Sequence, residues 1–202
     1  MRLDRLTKKI AIKQIFKIVS YLHSLNVLQL HSVVEANHLR KLLSHYKVDC
    51  VFDVGANFGQ YANMLREKSN YSGLIISFEP IPEAAAALRL LSKDDPLWCV
   101  EELALSDANG EQVFNIMSGH QFSSLSKPKH DEVNIFTKSN KISRSLKVKT
   151  ESLDRAFKRL EESHNFKAPF LKMDTQGFDI TIARHGEQVI RNFIGLQSEL
   201  AI

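Results

Sequence analysis

Cysteine, tryptophan, glycine and proline are all scarce in this chain of 202 residues: two, one, eight and five respectively. Cys50 and Cys99 each sit inside an apolar stretch, so neither a disulfide framework nor a thiolate metal site is expected, and both read as small core residues. So few glycines and prolines exclude collagen-like and low-complexity chains, and an apolar share of 44% excludes wholesale disorder. No apolar run approaches the roughly 18 uncharged residues that a membrane-spanning helix requires. The opening residues also lack the compact apolar segment and small-residue cleavage site of a signal peptide. The expectation is a cytoplasmic protein built around one catalytic domain.

Charge of one sign is scarce overall but locally abundant. The net charge is +4, yet the first fifty residues carry +6 and residues 127–149 carry +5, which leaves about −7 for the rest. An acidic body flanked by basic segments is not the pattern of a nucleic-acid binder, whose basic face lies on the folded body itself. It is compatible with an anionic substrate or a membrane surface. In the first segment, residues 1–47, Leu3, Leu6, Ile10, Ile15, Phe16, Val19 and Leu22 recur at three- and four-residue steps, and Lys9, Lys13 and Lys17 repeat every four. This predicts an amphipathic helix with a basic face. It is open to two readings, packing on the catalytic domain or peripheral contact with an anionic membrane. His31, His38 and His45 follow at heptad spacing on a second helix ending near Tyr46. Two turns separate neighbours, too far to share one metal ion, so solvated or capping roles are expected.

From Val48 to the end, short apolar runs alternate with helical stretches, the signature of a parallel sheet with helices on both faces. Strands are predicted over 48–54, 74–78, 98–103, 170–174 and 195–199, and helices over 61–67, 83–91 and from about 152 to 162. A further helix runs from Phe178 to Gly186. Residues 112–117 and 146–150 alternate like exposed strands, with a Ser/Lys-rich loop between them.

Asp53-Val-Gly-Ala-Asn-Phe-Gly59 follows the first strand and opens a helix. Gly55 and Gly59 let the backbone turn tightly and approach a ligand, and Asn57 tolerates the left-handed region best after glycine. The helix N-terminus adds unpaired N–H groups. Glu79 ends the second strand, where an acidic side chain can accept both hydroxyls of a ribose. Asp107, after the third strand, is within reach of an adenine amine. The alternative is that Asp53, Glu79 and Asp107 merely cap turns. An adenosine site of this kind does not choose between a nicotinamide cofactor and a methyl donor.

Six motifs in order decide that choice. They are Asp53 to Tyr61, Ser77-Phe-Glu-Pro80, Ala104-Leu-Ser-Asp107 with Gly110, Ser123-Ser-Leu125, Ser152-Leu-Asp154, and Lys172-Met-Asp-Thr-Gln-Gly-Phe-Asp179. Together they resemble the FkbM-type methyltransferases, from about Val48 to Glu199. The resemblance implies a Rossmann-like class I methyltransferase sheet, S-adenosyl-L-methionine as cofactor, and methylation of a hydroxyl on a sugar, glycan or other secondary metabolite. It also implies that Gly55, Asn57 and Gly59 pass beneath the methionine part of the donor, with Asp53 and Tyr61 in the same motif. Glu79 then holds the ribose and Asp107 faces the adenine. The competing readings are a nicotinamide-dependent oxidoreductase and a non-catalytic binding module.

Methyl transfer needs the acceptor oxygen aligned and a base to take its proton. Open parallel sheets bind ligands at the carboxyl ends of their strands, which points to Asp174 and Glu199. Asp174 is the first choice for base or donor-amine contact, with helix capping as its alternative. Asp179 is assigned to supporting Lys172 or the helix start. His120, in the loop before Ser123, is a second candidate base, whereas His185 closes a helix. Clustered carboxylates can also hold a divalent cation, but no metal is assigned. The basic stretch 127–149 either closes over an anionic acceptor or is a solvated loop. A complete sheet of this class has seven strands, and the chain ends after the fifth, so roughly 30 to 50 residues are expected to be missing. The strand edge left near Leu196 invites pairing with a second copy, a homo-oligomer.

Overall fold

The computed structural model describes residues 27–117 and 142–198. The basic helix expected from Leu3 to about Leu28 lies outside them except for its last two residues, as do His120, Ser123, the stretch 127–141 and Glu199. Helix α1 (Val27–His45) precedes strand β1 (Cys50–Val54), helix α2 (Gln60–Glu67), strand β2 (Leu74–Phe78), helix α3 (Pro82–Ser92) and strand β3 (Trp98–Glu101). Three strands of a second sheet follow: β4 (Ala104–Leu105), β5 (Gly110–Met117) and β6 (Ile142–Glu151). Helix α4 (Leu153–His164), strand β7 (Pro169–Met173), the short helices α5 (Asp179–His185) and α6 (Glu187–Ile190), and strand β8 (Gly195–Ser198) complete the described order.

The main sheet is parallel throughout, in the order β3-β2-β1-β7-β8. Every residue of β1, β2 and β7 is buried, as near-continuous apolar runs require when helices cover both faces. Alternation then sorts the side chains. Phe52, Ile76 and Leu171 face a layer made by α4, α5 and α6, where Phe52, Phe157, Phe166 and Phe193 pack ring on ring at 5.3–6.2 Å. Val51, Ile75 and Phe170 face the other layer, where Ala36, Leu39 and Leu43 of α1 pack with Ala62 and Leu65 of α2. The chain is a mixed α/β protein with a Rossmann-like central sheet.

Strands 112–117 and 146–150 are longer than their alternation suggested and are not simply exposed. They form the antiparallel pair β5–β6, with β4 parallel to β6, and bury Phe114, Ile116 and Val148 against Ala104 and Ile81. The outward residues of that alternation, such as Val113, stay in solvent. Ser152 caps α4 by accepting the Arg155 N–H at 3.4 Å, and Asn165 ends it in the left-handed region. Thr150, the other hydroxyl expected to cap, is buried and has no hydrogen-bond partner for its Oγ1. His38 and His45 are exposed.

Candidate active site

Register brings the ends of three strands level. Val54 pairs with Phe78 on one side and with Met173 on the other, so Gly55, Glu79 and Asp174 leave the sheet side by side. The strand order reverses between β1 and β7, the switch point at which open parallel sheets hold ligands. A cavity of about 780 Å³ opens there, within the usual range for small-molecule sites.

The β1–α2 loop runs through positive φ at Gly55 (74°), Asn57 (51°) and Gly59 (84°). A Cβ at Gly55 would lie 2.1 Å from the Asp174 carbonyl oxygen, so this glycine lets two backbones touch. Gly59 faces the side chains of Leu88, Leu91 and Trp98 instead and does not line the cavity, whereas Gly55 and Asn57 do. Glu79 is buried on the cavity wall. One carboxylate oxygen accepts the Asn57 N–H at 2.8 Å and the other the Ile81 N–H at 2.9 Å. Burial raises its pKa above the ordinary 4.5, although those two N–H groups pull the other way.

Asp53 lies beneath the cavity and is not part of its wall. It belongs to a polar row that the register draws across the sheet: Ser77, Asp53 and Lys172 sit opposite one another on β2, β1 and β7. Lys172 Nζ pairs with Asp53 at 3.0 Å, donates to the Gly55 carbonyl at 3.4 Å, and stands 5.2 Å from the centroid of the Tyr61 ring. Ser77 donates to Asp53 at 3.4 Å while accepting from the Trp98 indole at 3.0 Å. Tyr61 and Lys172 both line the cavity. Burial first, and then the charges of Asp53 and Glu35, push the Tyr61 pKa up, so its hydroxyl keeps its proton. That hydroxyl donates to Gln197 Oε1 at 3.0 Å, and Gln197 Nε2 donates to Glu35 at 2.8 Å.

Asp174 is half-buried on the wall, its N–H bonded to Val54 and its Oδ1 accepting from Gln176 Nε2 at 2.8 Å. Asp179 is buried behind it, accepting from the Thr175 N–H, the Thr175 hydroxyl and, at 2.6 Å, the Ser198 hydroxyl. It therefore shapes the β7–α5 turn and ties it to β8. Asp107 is exposed and outside the cavity wall. Gln112 and, after it, Ser106 donate to its carboxylate and hold its pKa below the ordinary range. It follows the two-residue strand β4, which the apolar run 98–103 did not announce, and this extra strand carries it away from the sheet end. His185 Nδ1 is 2.9 Å from the Thr181 carbonyl, away from the cavity. His120 and Glu199 lie outside the described residues.

Several wall residues were not singled out one by one in the sequence, although Arg144 belongs to the basic stretch 127–149. Ser32 and Glu35 come from α1, and Phe114, Ile116 and Arg144 from the second sheet. Arg144 reaches Glu83 of α3 through both carboxylate oxygens at 2.7 Å. Lys68 was legible in principle, since Tyr61, Met64 and Lys68 fall on one face of the helix. The wall carries four acids, Glu35, Glu79, Glu83 and Asp174, against three bases, Lys68, Arg144 and Lys172, with the Asp53 carboxylate buried beneath against Lys172. Among the described residues no three His, Cys, Asp or Glu side chains gather as a metal group, and no helix is long and apolar enough to cross a membrane.

An adenosine-bearing methyl donor fits these residues. Phe78, Ile81, Leu103 and Leu105 give the cavity an apolar side for a flat ring, Glu79 stands beside it as an acceptor, and the surplus of acids suits a cationic group. Residues 53–195 match the model of the Methyltransferase FkbM domain. No curated protein and no solved structure matches the chain.

Proposed function

Since the chain belongs to the FkbM methyltransferase family, we propose that it uses S-adenosylmethionine to methylate a hydroxyl of a sugar or other secondary metabolite. Support comes chiefly from Glu79. In a dinucleotide site the loop N–H groups at a helix N-terminus are kept for the pyrophosphate. Here Glu79 takes the Asn57 N–H and puts a carboxylate where a phosphate would have to approach. A like-charge clash of this kind disfavours NAD and favours a donor with a net positive charge.

When bound, the donor supplies a methyl group on a sulfonium, already activated for in-line displacement. Glu79 holds the ribose hydroxyls with the lone pairs its two N–H contacts leave over. Phe78, Ile81, Leu103 and Leu105 exclude water around the base. Asp174 Oδ1 is held by Gln176, which leaves Oδ2 to take the proton of the acceptor hydroxyl. Asp179, by fixing Thr175 and the turn, keeps Asp174 at the sheet end without itself touching the acceptor. Calorimetric titration with S-adenosylhomocysteine, with NAD as control, tests the reading. Binding of the first alone is expected; binding of NAD alone, or of neither, would overturn it.

A further inference from the structure

Each of the three central strands carries a single polar side chain, and the three fall on one register. Ser77 on β2, Asp53 on β1 and Lys172 on β7 are all buried, one residue before the strand ends. A buried ion pair adds little net stability over apolar side chains of similar volume, so stability is a weak reason for this row.

The contacts of Lys172 supply a stronger one. Its ammonium touches the same short segment of chain three times: Asp53 Oδ1 at 3.0 Å, the Gly55 carbonyl at 3.4 Å, and the Tyr61 ring, whose centroid is 5.2 Å away. These are the end of β1, the turn that follows it and the first turn of α2. Glycine is the residue least restrained by its own backbone, and Gly55 sits at φ +74°. Lys172 holds its carbonyl, while its N–H donates to the Phe78 carbonyl at 3.1 Å. Two residues on, Glu79 holds the Asn57 N–H at 2.8 Å. The loop is thus gripped from β7 on one side and from β2 on the other. Asp53 lies off the cavity wall and meets the loop through Lys172. An ammonium has donors only, which leaves the base role with Asp174.

Building on the donor site proposed above, we propose that Lys172, with Asp53 as its counter-ion, is a positioning residue for the methyl donor: its ammonium holds the Gly55 carbonyl and keeps the β1–α2 loop in the shape that receives the donor. Beyond burial and the two N–H groups already described, the Asp53 charge raises the Glu79 pKa and the Lys172 charge lowers it. Removing both charges together therefore separates the grip on the loop from the field at Glu79.

The test measures S-adenosylhomocysteine affinity by calorimetry on the full chain, with stability followed by thermal melts. Wild type is compared with Asp53→Asn/Lys172→Met and with Leu171→Val. Leu171 adjoins Lys172 on β7 but faces the aromatic layer, so its truncation lowers the melting temperature without touching the loop. The double variant is expected to bind about tenfold or more weakly than wild type, whereas Leu171→Val stays within about twofold although it melts lower. Asp53→Asn/Lys172→Gln, whose two amides can pair, is expected to show the same loss and takes over if the methionine variant does not fold. A smaller loss in a folded double variant would overturn the proposal. So would equal losses in the double variant and in Leu171→Val, which would make the role of the row structural alone. Failure of the wild-type chain to bind S-adenosylhomocysteine would instead count against the donor site.

Discussion

Replacing Gly55 with alanine asks whether this glycine serves the ligand or the fold. The added Cβ would sit 2.1 Å from the Asp174 carbonyl oxygen and 3.0 Å from its carbon, both backbone atoms of a buried strand end. Neither can rotate away, so β1 and β7 must separate where their register is tightest. Left-handed backbone at φ +74° costs an alanine about 1–2 kcal/mol. Overpacking of this kind adds about 1–3 kcal/mol, for a total of about 2–5 kcal/mol. That is a large part of the stability expected of a domain, about 5–15 kcal/mol. Urea denaturation followed by circular dichroism should show a midpoint lower by about 1–2.5 M at unchanged slope. Gly177→Ala is the reference. It also has positive φ, at 91°, but its Cβ would meet nothing within 4 Å, so only the backbone strain of about 1–2 kcal/mol is expected. Equal midpoints for the two variants would refute the steric argument.

Other perturbations separate the roles of the neighbouring groups. Asp174→Asn should lower kcat by about 10²–10⁴ while leaving donor affinity nearly unchanged; wild-type turnover would strike Asp174 from the proton-accepting role. Lys172→Met strands the buried Asp53 carboxylate and should destabilise by about 3–5 kcal/mol, with Asp53→Asn/Lys172→Met costing less than the two single changes combined; strict additivity in thermal melts would deny the pair. Glu79 has a folded pKa above its ordinary 4.5, so protons bind the native state more tightly than the unfolded one between those values. Its contribution to stability is therefore greatest below pH 4.5 and is lost as pH rises through the folded pKa. Donor binding, which uses the ionised form, has the opposite trend: affinity for S-adenosylhomocysteine should fall on acidification before an ordinary glutamate would protonate. A pH profile identical in Glu79→Gln would show that another group governs it.

The parallel sheet was legible because buried strands read as apolar runs and the runs alternate with helical stretches. Among the described residues, the five runs placed the five strands of the main sheet, with ends displaced by a residue or two. Glu79 was legible as a wall residue because it follows the second strand directly. Asp53 was harder. It lies one residue before the end of β1, but whether it faces a cavity depends on Lys172, 119 residues away and opposite it only once β1 and β7 are paired. Asp107 depended on a two-residue strand, too short for any periodicity to register. Glu35 reaches the cavity through the packing of α1 on α2 and Arg144 through its pairing with Glu83 of α3, contacts that no local pattern encodes.

A crystal structure of the chain with S-adenosylhomocysteine would test the central claim most directly. The ligand is expected in the cavity at the ends of β1, β2 and β7, with its ribose hydroxyls on the Glu79 carboxylate and its thioether toward Asp174. A ligand bound elsewhere, or bound in that cavity with Glu79 touching neither ribose hydroxyl, would contradict it.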